Sequence, residues 1–203
     1  MARTYGYSTD FDEEVEMLFR EAKFLGEGHN GIVYEVPGNK AIKIFQDTDI
    51  CKQEAKILYR VKKSKYFPKI YKCGDYYILR QMVNGKRLDH YIKEKGLSSK
   101  LVRNIYNLIE EFERLNFTKL DARCRDIYVD THERVMVIDP KQCYSRKANY
   151  PRHLMKGINN INYLPKFIAE VRRINEKKAN YWSKSINQYL NNTQEDQCSY
   201  GEN

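Results

Sequence analysis

The spacing of apolar positions switches repeatedly between the periods that mark helix and strand. Between residues 8 and 22, Phe11, Val15, Leu18 and Phe19 fall at helical spacing behind Ser8, Thr9 and Asp10, which suit an N-cap, with acids in the first turns. From Lys23 to Phe45 the texture becomes short apolar runs broken by glycine: Lys23 to Leu25, Ile32 to Val36 and Ala41 to Phe45, with Pro37-Gly38-Asn39 as the turn between the last two. Helical spacing returns over residues 50–62 through Ile50, Glu54, Ile57, Leu58 and Val61, and Lys69 to Leu79 adds two strand-like stretches around Gly74-Asp75. The pattern predicts a small antiparallel sheet carrying one helix over residues 23–83, preceded by a helical extension over residues 1–22.

Val83-Asn84-Gly85 reads as a joint to a second region, residues 84–190, in which helices dominate. There Leu101, Ile105, Leu108, Ile109, Phe112 and Leu115 make one apolar stripe opposite Arg103, Asn107, Glu111 and Arg114. Val135 to Ile138 reads as a short strand, stopped at Asp139-Pro140 because proline has no N–H for further pairing. Helical patterning resumes after Pro151, with Pro165 breaking or opening a helix, and the polar residues 191–203 predict a disordered tail. The fold class expected is α+β, a small sheet-bearing lobe followed by a reduced helical lobe.

Composition narrows the setting. A chain of 203 residues, 41% of them hydrophobic, can bury a core as one generous domain or two small lobes. The net charge is +9, and residues 141–203 hold 11 basic against 5 acidic side chains, two thirds of that excess. Such a surface would attract nucleic acid, an acidic partner or an anionic surface, and a solvated helix face has the same composition. The cysteines Cys51, Cys73, Cys124, Cys143 and Cys198 are odd in number and lack CxxC spacing, and the chain does not start like a secretory signal. Reduced thiols in a cytoplasmic protein are expected, without zinc or a disulfide framework. No apolar run reaches the roughly 18 residues of a membrane span.

Two sets of residues carry chemistry. Gly26, Gly28 and Gly31 form G-x-G-x-x-G, a spacing shared with dinucleotide folds, where the third glycine opens a helix. Here Ile32-Val33-Tyr34-Glu35-Val36 reads as the second strand of a hairpin, whose glycine-rich loop could lie over phosphates; an ordinary hairpin with a glycine tip is the plainer alternative. In Ala41-Ile42-Lys43-Ile44 a charge interrupts an apolar strand, and a buried ammonium requires an anionic partner, for which Glu54 is the natural candidate. Farther on, Asp121 and Asp126 lie in Lys119-Leu120-Asp121-Ala122-Arg123-Cys124-Arg125-Asp126-Ile127-Tyr128-Val129, and Asp139 in Val137-Ile138-Asp139-Pro140. The blander reading of Asp121 and Asp126 is an exposed acidic turn before a strand.

In this order, the elements resemble the protein kinase superfamily, whose signature is G-x-G-x-x-G-x-V, a strand lysine, a helix glutamate, then a catalytic aspartate, a metal ligand five positions on and a further metal-binding aspartate. Val33 fills the valine position. The resemblance implies a two-lobed fold holding ATP with Mg²⁺ (or Mn²⁺) between the lobes. It assigns nucleotide binding to Gly26, Gly28, Gly31, Val33, Lys43 and Glu54, and catalysis to Asp121, as base, and Arg123, near the transferring phosphoryl group. Metal falls to Asp126 and Asp139, and Ile78 to Gly85 would be the connector that binds adenine. Lys119-Leu120 stands where the family has His-Arg, Asp126 where it has asparagine, and Asp139-Pro140-Lys141 where it has Asp-Phe-Gly. The Ile-Asp-Pro ending is similar to the atypical and small-molecule kinases of the superfamily, including the RIO type, and the chain as a whole resembles a compact, RIO-like or bacterial member. The implied activity is transfer of the γ-phosphate of ATP to a hydroxyl, foremost a protein serine or threonine. A small-molecule kinase, a pseudokinase scaffold and a nucleic-acid-associated factor remain as alternatives. His29, at the loop tip, receives no role.

Overall fold

Burial is unbroken from Ala41 to Phe45 of the strand Lys40–Phe45, and successive side chains of a strand point to opposite faces, so both sides of the sheet around it are covered. The computed structural model describes residues 11–140 and 142–198, a mixed α+β chain that divides into two compact units, residues 11–84 with 138–140 and residues 85–137 with 142–198. In the first unit, β1 (Lys23–Gly28), β2 (Gly31–Val36), β3 (Lys40–Phe45), β4 (Ile70–Cys73) and β5 (Tyr77–Gln81) form an antiparallel sheet of order β1-β2-β3-β5-β4. The β2–β3 turn closes because Gly38 and Asn39 accept positive φ, at 81° and 57°.

Helix α1 (Glu13–Phe19) covers one face of this sheet and α2 (Thr48–Arg60) the other. Val15, Leu18 and Phe19 of α1, with Phe11 just before it, pack on Ile32, Val36, Ile42, Ile44, Tyr77 and Leu79 of the sheet. On the other face Cys51, Ala55 and Leu58 of α2 pack with Phe45 and Ile78 of the sheet. The caps of α1 and α2 are Asp12 and Asp47, whose carboxylates accept backbone N–H bonds of the first turn. Ser8, Thr9 and Asp10, expected as caps, lie outside the described residues. Asp12 also accepts from the Tyr77 hydroxyl at 2.9 Å and pairs with Lys72 at 2.9 Å, so α1 is bonded to β4 and β5 as well as packed on the sheet.

The second unit contains β6 (Lys86–Arg87), α3 (Leu88–Lys95), α4 (Ser99–Arg114), a 3-10 turn (Cys124–Asp126), β7 (Ile127–Val129), β8 (Val135–Val137), α5 (Arg152–Asn159), α6 (Leu164–Ile174) and α7 (Glu176–Cys198). Strands β6, β7 and β8 make a small antiparallel sheet. Of the expected stripe of α4, Leu101, Ile105, Leu108, Ile109 and Phe112 are each at most 2% exposed, while Leu115 is the half-buried C-cap; Glu111, expected on the opposite face, is 6% exposed and bonded by Arg114. Pro165 sits in the first turn of α6, where a missing N–H is harmless. Helix α7 is tied to α4 by Lys178, which bonds Glu110 and, at 2.8 Å, Glu113, and its Trp182 lies parallel to Phe167 of α6 with ring centroids 6.5 Å apart.

The tail differs from expectation. Residues 191–198 continue α7 as helix, because once Trp182 and Ile186 anchor its start each further residue adds a backbone hydrogen bond without a new nucleation cost. Residues 199–203, like Lys141, lie outside the described residues. Among the described residues no helix is long and apolar enough to cross a membrane.

The Lys72 ammonium, together with the Val15 N–H and the Tyr77 hydroxyl, holds the Asp12 carboxyl down at about 2. A depressed acid stabilises the folded state above its unfolded value of about 4, and that contribution disappears as pH falls towards the folded value. Protection of the α1 amides against hydrogen exchange is therefore expected to fall between about pH 4 and pH 2. Asp12→Asn should show weakened protection already at neutral pH and little further loss on acidification. Equal protection in both proteins across that range would contradict the assignment.

Candidate functional site

Register places the first group of site residues. Gly26 pairs with Val33 across β1–β2, Val33 with Lys43 across β2–β3, and Lys43 with Ile78 across β3–β5, so the four form one row across the sheet. Directly paired residues of an antiparallel sheet share a face, and the face of Ile78 is the one that α2 covers. Lys43 is consequently buried, 7% exposed, and its Nζ reaches Glu54 Oε2 at 2.5 Å from the Phe45 side of α2, 4.6 Å from the Phe45 ring centroid. Glu54 is 4% exposed because it falls one turn from Cys51 and Leu58 on the buried stripe of α2.

The pair is not electrically isolated. Burial pushes the Glu54 carboxyl upward, the Lys43 ammonium pulls it down, the charge of Asp139 adds to the rise and that of Arg80 opposes it. Arg80 is 5% exposed and shares the α2 face of β5 with Ile78, while Asp139 lies two residues beyond β8. Two cations and two anions are therefore gathered in this unit. Glu54 Oε1 is buried and has no hydrogen-bond partner among the described residues. Arg80, expected in a connector, lies in β5, and its signal in the sequence is the same as that of Lys43, a charge set in an apolar strand.

The three glycines prove unlike one another. Gly31 has φ +147°, and a Cβ there would stand 1.9 Å from the backbone oxygen of Ile44, so this glycine is demanded by the close approach of β2 to β3. Around Gly26 and Gly28 a Cβ would meet nothing within 4 Å. No internal packing calls for glycine at those two positions, which leaves the approach of something outside the sheet as a reason for them.

The second group lies in the other unit. The segment leading to Asp121 is tethered to residues 143–148: Thr118 N–H donates to the Cys143 carbonyl at 2.9 Å, Leu120 N–H to Ala148 at 2.8 Å, and the Thr118 hydroxyl to Arg146 at 2.6 Å. Asp121 is thereby brought under the start of α5, whose preceding residue, Pro151, supplies no side-chain cap. Its carboxylate does so instead, accepting the His153 N–H at 3.0 Å on both oxygens and the Leu154 N–H at 3.2 Å. The ring Nδ1 of His153 lies 2.5 Å from Asp121 Oδ2. Asp121 is thus neither an exposed acidic turn nor an open carboxylate, its side chain being 1% exposed.

Cys124 locks this arrangement. Its thiol donates to the Leu154 carbonyl at 3.4 Å, burial pushes it up to about 12, and a Cβ on Gly157 would come within 2.5 Å of its sulfur. Arg123 is exposed, and Asp126, half-buried, closes the 3-10 turn with its N–H on the Arg123 carbonyl at 2.9 Å. His153 was invisible in the sequence, since no spacing rule links residues 32 positions apart. Part of the basic last third is used internally: Lys178 bonds Glu110 and Glu113, Arg173 bonds Glu170, and Arg152 and Lys156 lie over the Tyr189 ring. Among the described residues no three His, Cys, Asp or Glu side chains are gathered closely enough to hold a metal by themselves.

The chain matches no protein-family model, and no characterised protein is significantly similar to it.

Urea denaturation distinguishes the roles of these groups. Gly31→Ala should destabilise the protein by about 2 kcal/mol or more, since it adds both backbone strain and a clash, whereas Gly28→Ala should cost about 1 kcal/mol or less. Glu54→Ala, which leaves Lys43 buried beside no carboxylate, should cost about 3–5 kcal/mol. A Gly31→Ala variant as stable as Gly28→Ala would refute the packing explanation of Gly31.

Proposed function

We propose that this protein is an ATP-dependent phosphotransferase of the two-lobed, protein-kinase-like type, moving the γ-phosphate to a hydroxyl acceptor, foremost a serine or threonine of a protein. The observation that carries the reading is the buried Lys43–Glu54 pair, held in one sheet row with Val33 and Gly26. Two apolar residues of similar volume would stabilise such a site at least as well as an ion pair, so stability alone does not explain why these charges stand there. A lysine oriented by a buried carboxylate, beside a loop with two glycines that packing does not require, suits the α and β phosphates of a nucleotide.

Magnesium suits carboxylate donors. It takes one or two protein carboxylates and completes its shell with water and phosphate oxygens, so Asp139 in the first unit and Asp126 in the second could each carry it without a cage of protein ligands. Bound there, the metal would neutralise phosphate charge. Exposed Arg123, two residues beyond Asp121, would stabilise the charge developing on the transferred group. Asp121 serves the acceptor end of the reaction.

A nucleotide-binding scaffold without turnover is the second reading, favoured by the burial of Asp121. Radiolabelled ATP with Mg²⁺ and dephosphorylated casein separates the two. The wild type is expected to label the acceptor, and Lys43→Met to lose about 100-fold or more in rate together with nucleotide affinity. Nucleotide binding with no transfer by the wild type would favour the scaffold, and absence of nucleotide binding would defeat both readings.

A further inference from the structure

The carboxylate assigned to the acceptor end is enclosed. Asp121 is 1% exposed on its side chain, and its two oxygens are committed to the amides of His153 and Leu154 and to the His153 ring. A hydroxyl could reach it only by displacing the first turn of α5. His153 is placed otherwise: its side chain is 39% exposed while its Nδ1 lies 2.5 Å from Asp121 Oδ2. Resting on the phosphotransferase reading, we propose that His153 is the group that takes the acceptor's proton, and that Asp121 is its positioning residue.

The geometry constrains the imidazole strongly. Main chain and ring of the same residue are clamped to one carboxylate, since the His153 N–H donates to both Asp121 oxygens at 3.0 Å. A carboxylate only accepts hydrogen bonds, so Nδ1 carries the hydrogen of the short contact, and in the neutral ring the lone pair is then the one on Nε2. Capping α5 requires only the two backbone N–H bonds; the ring contact is additional to that need. A buried aspartate that fixes the tautomer and direction of a histidine base is the division of labour found in Ser-His-Asp triads, where role and geometry, not sequence order, define the unit.

The chemistry balances. An oxygen lone pair of the acceptor hydroxyl forms the new bond to the γ-phosphorus while the bond from that phosphorus to the β–γ bridging oxygen breaks, and ADP leaves with the electron pair. The hydroxyl proton passes to His153 Nε2. The imidazolium, balanced by the Asp121 carboxylate, then releases the proton to water.

The test uses the full chain with radiolabelled ATP, Mg²⁺ and dephosphorylated casein, with rates expressed per nucleotide-binding site so that any folding loss cancels. His153→Asn keeps an N–H near the Nδ1 position and removes the proton acceptor. It is expected to slow transfer about 100-fold or more at unchanged nucleotide affinity. In His153→Ala, imidazole added to the solution should accelerate transfer in proportion to its concentration, an effect that a packing role would not produce. A His153→Asn rate within threefold of wild type, or no acceleration of His153→Ala by imidazole, would overturn the assignment while leaving the phosphotransferase reading intact. A wild type that binds ATP but transfers nothing would remove both.

Discussion

An ammonium and a carboxylate lie 2.5 Å apart in the interior of the first unit, and much of that unit's design follows from keeping them there. Neither Lys43 nor Glu54 tolerates burial alone, because the desolvation of a lone charge is repaid only by a close counter-charge. The pairing fixes the register of α2 on the sheet: Glu54 must face β3, so Cys51, Ala55 and Leu58 face it too. It also fixes the register of β3, since a one-residue slip would turn Lys43 towards α1 and Ile42 and Ile44 towards α2. Asp139 and Arg80 complete a group of four charges, in which each carboxylate raises the demand for the cations.

The second unit solves a related problem with a different device. Helix α5 starts after a proline with no cap of its own, and the orphan N–H groups of its first turn are satisfied by Asp121, far away in sequence. Supplying a cap from a distant loop couples two segments: the loop cannot move without uncapping the helix, and the helix cannot shift without uncovering the carboxylate. The contact of Gly157 with Cys124 adds a steric limit to the same coupling, since there is room between helix and turn for a hydrogen but not for a methyl group. The side effect is a histidine ring held in a single orientation at the surface of the unit.

Local patterns that depend only on neighbouring residues were legible in the chain. The strands at Ile32 to Val36 and Ala41 to Phe45, the buried stripe of α4 and the opening of α6 at Pro165 follow from alternation, helical period and proline chemistry. The Lys43–Glu54 contact was legible too, because a charge in an apolar strand demands a counter-charge and the next helix offered one at a buried position. Less was readable where the answer depended on distant partners. The end of α7 looked disordered by composition, yet helix continues from an anchored start. Gly31 matched a phosphate-loop spacing, while its steric need comes from the Ile44 carbonyl on the next strand.

By itself, the sequence determined the α+β class, the apolar faces and the order of the charged residues along the chain, all of which are set by short-range periodicity and by the cost of burying a charge. Only the tertiary structure decided what each charged residue does with its neighbours. It placed Arg80 among the buried charges, turned Asp121 from a loop aspartate into the cap of a helix, and brought His153 to it across 32 positions. Hydrogen bonds of that range leave no spacing rule in the chain, because the intervening segment can take any length that returns to the same point.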